Sequence, residues 1–340
     1  MTQDIKNYIK DIINTNGPLG IDKFIQIASS YYYSNFDSIG QHSDFITAPE
    51  ISQMFGEIVA IYLSEMWYQK IATKFTLVEL GPGNGTMMSD ILRTIQNFKE
   101  IYNSISEVAL IETSHKLRMM QENTLKKFND IKINWYQDLD ELHGENFIIV
   151  ANEFFDALPI KQFFLKDNKI YEIVISLNKE GNFTFGLTNN VFNHIDINKF
   201  ENNQLIELSE HRTNYVDKIS NKISSNNGGS IIIDYGYLQP PNKSTLQAVK
   251  FHKKVELFDN IGESDITSLV DFIKLQKDFK KNNIVSNITN QSDFLFKYGI
   301  LKRGEMLVKS GASKEKIDFQ LKKLTSDEEM GSLFKVLVTE

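Results

Sequence analysis

Cysteine is absent from this 340-residue chain, which excludes disulfides, thiolate metal sites and cysteine nucleophiles together. Histidine is scarce: none of the six forms a metal-type pair with a nearby ligand, so no metal centre is expected. No apolar run approaches the roughly 20 residues that span a bilayer, so stable membrane insertion is not expected. Residues Met1–Ser29 mix Asp4, Asp11 and Asp22 with lysines and lack an apolar secretory core. They do not resemble a signal or transit peptide, and the expected compartment is the cytosol. A long basic run is also missing. With 37 Lys and Arg against 44 Asp and Glu, the formal charge is −7, which argues against a nucleic-acid partner. What is present is an ordinary composition, 41% hydrophobic and 24% charged, long enough for one large α/β domain with additions or for two.

The most informative stretch is Thr76-Leu-Val-Glu-Leu-Gly-Pro-Gly-Asn-Gly-Thr86. A buried strand (Leu77, Val78, Leu80) runs into Gly81, Gly83 and Gly85, and Met88, Ile91, Leu92 and Ile95 follow at helical spacing. Strand, glycine turn and helix is how an α/β protein holds a nucleotide-like cofactor. The glycines let the backbone turn sharply and approach the ligand without Cβ atoms. A dinucleotide fingerprint reads G-x-G-x-x-G, whereas here the third glycine comes one residue early. An acid, Glu79, also precedes the first glycine by two places. The stretch resembles motif I of class I S-adenosylmethionine methyltransferases, whose ligand carries a sulfonium and an α-amino group that a carboxylate suits. Glu107-Val-Ala-Leu-Ile-Glu112 is a second apolar run ending in an acid. Glu112 is positioned to accept hydrogen bonds from ribose hydroxyls, a feature that does not separate this cofactor from NAD. The next strand, Ile131–Tyr136, leads to Asp138, a looser candidate for the adenine.

Further along, helices are expected at Asp4–Ile13, at about 21–31 and at Pro49–Tyr68. Strands follow near 76–80, 108–112, 131–136, 147–151 and 230–234, alternating with helical patterns, and Leu333–Thr339 suits a last strand. Alternation of this kind predicts a doubly wound, mostly parallel sheet. Short runs between 161 and 205, separated by Asp167-Asn168 and Glu180-Gly181, predict an inserted antiparallel β region. A helix is expected near 201–223, and an excursion at about 237–265 shows little periodicity. The division expected is therefore a helical extension over 1–70 and a core over 71–340 with two insertions.

Chemistry concentrates at Phe147-Ile-Ile-Val-Ala-Asn-Glu-Phe-Phe-Asp-Ala-Leu-Pro159. This strand delivers Asn152, Glu153 and Asp156 to the carboxyl edge of the sheet, across from the glycine turn. An acidic helix start is the plainer alternative, although two phenylalanines on the same turn suit a walled pocket.

Four blocks together resemble the MidA-type methyltransferase family, which includes the mitochondrial complex I assembly factor that methylates arginine. They are Asp44–Glu57, Glu79–Thr86, Ala151–Pro159, and Ile233–Gly236 with Thr245–Lys250 and His252. Smaller echoes at Gly262–Thr267, Gln291–Leu295 and Met330–Phe334 extend it nearly to the C-terminus. Asn84 is a departure, standing where the family often has arginine. The resemblance implies a class I, Rossmann-like methyltransferase that uses S-adenosyl-L-methionine to methylate an arginine of a protein, such as a respiratory NADH dehydrogenase subunit. It makes Thr47, Pro49 and Gln53 candidate cofactor contacts beside Glu79, Gly81, Gly83, Gly85, Glu112 and Asp138. Arginine is nearly always protonated, and Glu153 and Asp156 are suited to hold a guanidinium by charge-assisted hydrogen bonds, with Asn152 beside them. His252 is a lone loop histidine with a weaker claim to a base role. The 161–205 insertion is open to three readings: a homodimer contact, a substrate platform or neither. A nucleotide-binding oxidoreductase and a noncatalytic assembly chaperone that binds the cofactor are the other readings.

Overall fold

The computed structural model describes residues 5–35, 47–191, 204–224 and 227–339. Asp44–Ile46 of the first block, 192–203 of the insertion and parts of the N-terminal segment lie outside these described residues. The chain begins with α1 (Ile5–Asn16), β1 (Leu19–Gly20) and α2 (Ile21–Asn35), followed by α3 (Ala48–Ile51) and α4 (Gln53–Met66). The periodicity from Pro49 to Tyr68 predicts one helix, but it breaks at Ser52. That residue is extended (φ −159°) and its hydroxyl accepts the Met54 N–H at 3.2 Å. Serine prefers this capping role to a helix interior.

The alternating core then runs β2 (Phe75–Leu80), α5 (Thr86–Ile95), α6 (Lys99–Tyr102), β3 (Ile105–Ile111), α7 (His115–Leu125), β4 (Ile133–Tyr136) and β5 (Phe147–Asn152). The insertion supplies β6 (Lys161–Lys166), β7 (Lys169–Leu177), β8 (Phe183–Val191) and β9 (Leu205–Leu208) before α8 (Glu210–Ser224) and β10 (Gly229–Tyr237). The start of the helix expected at 201–223 is thus the strand β9, because Leu205–Leu208 find backbone partners on β6. The aperiodic excursion forms a small antiparallel sheet of β11 (Gln247–Lys250), β12 (Lys253–Val255) and β13 (Asp265–Thr267), with β14 (Val270–Asp271) after it. The last stretch holds α9 (Phe272–Lys281), β15 (Ser286–Asn290), α10 (Gln291–Lys297), α11 (Ile300–Lys309), α12 (Lys314–Thr325), α13 (Met330–Leu333) and β16 (Phe334–Thr339). Strand β15, Ser-Asn-Ile-Thr-Asn, carries little apolar signal and was not expected. It is the sheet's edge, and pairing with β16 alone makes it a strand.

The main sheet has the order β15-β16-β10-β5-β2-β3-β4. The pairs from β4 to β10 are parallel, and β16 lies antiparallel to both β10 and β15. Side chains alternate across it. Leu77, Val108, Ile148, Val150 and Ile231 pack with α4, α5 and the C-terminal helices, whereas Val78, Ala109, Ile149, Ala151 and Ile232 pack with α8 and α9. Each such buried Leu, Val or Ile side chain contributes about 1.5–3 kcal/mol, so the strand register is strongly specified. Chain order reverses between β2 and β5, and open α/β sheets bind ligands at the carboxyl ends of strands at such a point.

The N-terminal helices share a third core with the insertions: Ile9, Phe24 and Ile25 cluster with Ile160, Ile175, Ala248 and Ile266. Leu19–Gly20 add a short antiparallel strand to β7.

Candidate active site

All six residues of β2 are buried, and the chain leaves it through Gly81, Gly83 and Gly85 at φ 62°, 55° and 79°. These left-handed conformations suit glycine. A Cβ on Gly81 would stand 2.8 Å from the Phe154 ring, and one on Gly85 would lie 3.4 Å from the Gln121 backbone. Gly85 starts α5, whose first residue, Thr86, donates its hydroxyl to Glu50 Oε1 at 2.6 Å. Glu79 is 2% exposed, and burial pushes its carboxyl up to about 8. Its Oε2 has no hydrogen-bond partner among the described residues.

At the end of β3, Glu112 is buried and accepts from the Ser114 N–H (2.8 Å) and the Gln121 amide (3.2 Å). The same Gln121 nitrogen donates to the Gly83 carbonyl at 2.8 Å, and its oxygen accepts the Trp135 indole N–H at 2.8 Å. Gln121 therefore ties the ribose candidate to the glycine turn. Burial raises the Glu112 carboxyl above its ordinary range.

Strand β5 ends in a strained residue. Glu153 has φ 51°, a conformation that costs a β-carbon-bearing residue roughly 1–3 kcal/mol and that clusters at functional sites. Surrounding contacts hold it there. Its N–H donates to the Ile233 carbonyl (2.9 Å), and its Oε1 accepts from the Ala48 N–H (3.1 Å) and the Asn152 amide (3.2 Å). Burial, then the neighbouring Asp156 charge, pushes Glu153 up to about 8. Asp156 is raised well above the ordinary carboxylate range by burial and by Asp234 and Asp265.

Asp234, at 0% exposure, spends its oxygens on the N–H groups of Phe155 (2.8 Å), Asp156 (3.2 Å) and Tyr235 (2.8 Å). It therefore shapes the loop carrying the acids; burial pushes it up to about 7. Arg212 of α8 clamps the same region. Its guanidinium donates to the carbonyls of Phe155, Ser268 and Leu269 and to the Ser268 hydroxyl at 2.8–2.9 Å.

A pocket of about 50 Å³ brings three separate blocks together. Thr47, Pro49 and Glu50 line it from ahead of α4, Glu79, Gly81, Pro82 and Gly83 from the glycine turn, and Asn152 and Glu153 from β5. Gly85, Glu112 and Asp156 are not part of that lining. Gln53 is exposed in the first turn of α4 and does not line the pocket. Asp138 is engaged elsewhere: Lys218 meets its carboxylate at 2.6 and 2.7 Å, and the Asp140 N–H at 2.9 Å. Phe251 and His252 form the left-handed turn between β11 and β12, which leaves His252 at an exposed hairpin tip. Sequence reasoning missed Gln121, Arg212, Tyr33 and Asp265. Only Asp265 stood in a stretch with a visible signal, the echo at Gly262–Thr267.

A parallel sheet with one reversed strand, and acids and glycines gathered at its switch point, defines the class I methyltransferase fold. The chain belongs to a family of S-adenosyl-L-methionine-dependent methyltransferases, whose model, described as "Putative S-adenosyl-L-methionine-dependent methyltransferase", matches residues 58–288. It is accordingly a methyltransferase with S-adenosyl-L-methionine as its cofactor. A Caenorhabditis elegans protein named "Protein arginine methyltransferase NDUFAF7 homolog, mitochondrial" is 28% identical over 98% of this chain and 85% of that protein. "Protein arginine methyltransferase NDUFAF7, mitochondrial" of Xenopus tropicalis is 27% identical over 97% and 84%. These mitochondrial names are at odds with the cytosolic expectation. A superfamily member from Burkholderia thailandensis, solved bound to S-adenosyl-homocysteine, shares the fold with TM-score 0.87 at 20% identity over 99% of this chain and 91% of that one. The pocket fits the cofactor on its own terms. Glu79 Oε2 is a buried carboxyl oxygen with no partner among the described residues, and Gly81, Gly83 and Gly85 keep the turn that borders it free of Cβ atoms.

Proposed function

We propose that this chain methylates an arginine side chain of a protein. The observation that carries this reading is the buried Glu153 on the pocket wall, with Asp156 near enough for its charge to raise the Glu153 carboxyl. The names of the curated relatives support it. When bound, the cofactor supplies a methyl group already activated on a sulfonium, so the chain's own task is alignment and exclusion of water. Glu79, buried at the glycine turn, is assigned the cofactor's cationic amino group, and Glu112 the ribose. Thr47 and Pro49 close the pocket from the other side.

Glu153 and Asp156 are assigned the guanidinium. Charge-assisted hydrogen bonds to a planar fork orient it, and they draw positive charge away from the nitrogen that reacts. A cation entering between these carboxyls offsets the burial that holds their protons, so they release them to solvent as it binds. One carboxylate then accepts the proton that the methylated nitrogen gives up. Asn152 holds Glu153 in place through its amide. The finer reading of the acceptor, a subunit of the respiratory NADH dehydrogenase whose assembly is thereby supported, rests on the likeness of the four sequence blocks. A cytosolic location stands as a proposal against the mitochondrial names of the relatives. Fractionation of cells producing the tagged chain tests it, and recovery in the mitochondrial fraction overturns it.

The first experiment is calorimetric binding of S-adenosylhomocysteine to wild type and to Gly83→Val, followed by labelling of a cell extract with methyl-tritiated cofactor. Gly83 lies at φ 55°, where a β-branched residue is strained, so the variant is expected to lose at least about 100-fold in affinity, or about 2.7 kcal/mol. Label recovered as methylarginine after hydrolysis supports the reading; label on another residue overturns it.

A further inference from the structure

Helix α3 is a single turn, Ala48–Ile51, and it carries Pro49 and Glu50 into the wall of the cofactor pocket. One turn of helix does not hold itself together in water, because fixing its dihedrals costs more than its first hydrogen bond gains. Its position therefore depends on what it is tied to. Two ties run to the pocket. Glu50 Oε1 accepts the Thr86 hydroxyl at 2.6 Å, where α5 leaves the glycine turn, and the Ala48 N–H donates to Glu153 Oε1 at 3.1 Å. Thr86 and Glu153 are themselves part of the pocket lining.

Two further ties run away from the pocket, and both end on one side chain. Gln320 of α12 donates its amide N–H to the Ile51 carbonyl at 2.7 Å, and its amide oxygen accepts the Ser52 hydroxyl at 3.2 Å. Ile51 carries one of the carbonyls that a helix end leaves without an intrahelical partner. Ser52 is 4% exposed, and its hydroxyl oxygen also accepts the Met54 N–H at 3.2 Å. The Ser52 proton thus goes to Gln320 while a lone pair of the same oxygen starts α4. One planar amide matches a donor and an acceptor at the break between α3 and α4, from 268 and 269 positions away in the chain. A carboxylate offers Ile51 no donor, and a leucine offers neither group.

We propose that Gln320 is a positioning residue of the cofactor site. It fixes the break between α3 and α4 and, through α3, holds Glu50 against Thr86 and the Ala48 N–H against Glu153. Among the described residues, none of α12 lines that pocket, so Gln320 acts on the cofactor through α3. This role rests on the placement of the cofactor beside Glu79 and holds whichever side chain is methylated. A wall already in place when the cofactor arrives avoids the ordering cost that a loose wall adds to binding.

The test is calorimetric binding of S-adenosylhomocysteine to the full chain. Gln320→Leu is compared with wild type, alone and combined with Thr86→Val, which removes the hydroxyl that Glu50 accepts and keeps the branched shape. Gln320→Leu is expected to lower affinity about tenfold, or about 1.4 kcal/mol. In the Thr86→Val background the same change should lower it less than about threefold, because groups on one hydrogen-bonded path couple whereas independent ones add. Gln291→Met is the control for α12 itself. The Gln291 amide donates to the Leu324 carbonyl at 2.9 Å, one turn further along that helix. Its loss should leave affinity within about twofold of wild type, as expected of a site with no shared partner. Gly83→Val tests the placement: if that variant binds as wild type does, the pocket is not the cofactor's and the Gln320 role falls with it. Where Gly83→Val loses binding, three results overturn the Gln320 role alone. They are unchanged affinity in Gln320→Leu, an equal fall in both backgrounds, and an equal fall in Gln291→Met. Should Gln320→Leu fail to fold, Gln320→Glu takes its place. It keeps the acceptor for Ser52 and removes only the donor to Ile51, and the same outcomes decide.

Discussion

Three carboxyls at the carboxyl edge of the sheet bind their protons more tightly than usual for a common reason, loss of water, and each does so at a different point of the site. Glu79 and Glu153 are pushed up to about 8 and Asp234 to about 7, with burial the leading cause in each. Only Asp234 spends both oxygens on backbone N–H groups. Glu79 keeps Oε2 unpartnered among the described residues, so Glu79→Gln removes the group that ionises against a cation without creating a void. S-adenosylhomocysteine affinity should fall about 10–100-fold, the worth of one charge-assisted hydrogen bond, as read by calorimetry. Unchanged affinity would show that Glu79 does not meet the amino group. Glu153→Gln and Asp156→Asn should each lower kcat about 100-fold or more, within the range for general acid–base groups, with cofactor-product binding kept within a few-fold. If both variants turn over normally, the two acids have no catalytic role.

Among the elements, α4 is the joint of the molecule. Glu57, at 3% exposure, receives Arg93 of α5 at 2.9 Å and Arg303 of α11 at 2.7 and 2.9 Å. The first sequence block thus ends in a structural pin, while Thr47 and Pro49, at its other end, line the pocket. Removing one partner of a buried pair leaves the remaining charge uncompensated. Arg93 and Arg303 retain 38% and 29% side-chain exposure, which softens the loss. Glu57→Ala should therefore cost about 2–3 kcal/mol in chemical denaturation, with kcat at low temperature little changed. A loss below about 0.5 kcal/mol would reduce the pin to an ordinary surface pair. Similar reasoning explains which elements were legible. Strand β2, the glycine turn and α5 are read from consecutive residues, because burial, turn and helix follow one another along the chain. Strands β9 and β15 are not, because pairing with β6 and β16 makes them strands.

For the whole molecule the raised carboxyls set a pH dependence. Their folded values lie above the unfolded ones, near 4–4.5, so the fold holds more protons than the unfolded chain through the interval between. Stability from these groups is complete below about 4 and is lost as pH rises through about 7–8. The urea midpoint of the ligand-free protein is expected to fall from pH 5.5 to pH 8.5. Glu79→Gln should flatten that slope, and saturating S-adenosylhomocysteine should oppose it, since a cation beside Glu79 favours the ionised form. A midpoint that rises over this interval would show that these carboxyls are already ionised in the fold.

By itself the sequence determined the alternating core, the glycine turn at β2, and the delivery of Asn152, Glu153 and Asp156 to a strand end. Each of these depends on neighbours in the chain, and hydrophobic period and turn chemistry are local properties. Tertiary structure alone decided that Ala48 would donate to Glu153, that Gln121 would tie Glu112 to Gly83, and that Tyr33 and Asp265 would meet across 232 positions. It also turned Asp138 to Lys218 and left Gln53 outside the pocket. Those outcomes follow from which buried faces pack together, and a polar side chain's partner is fixed only when that packing is complete.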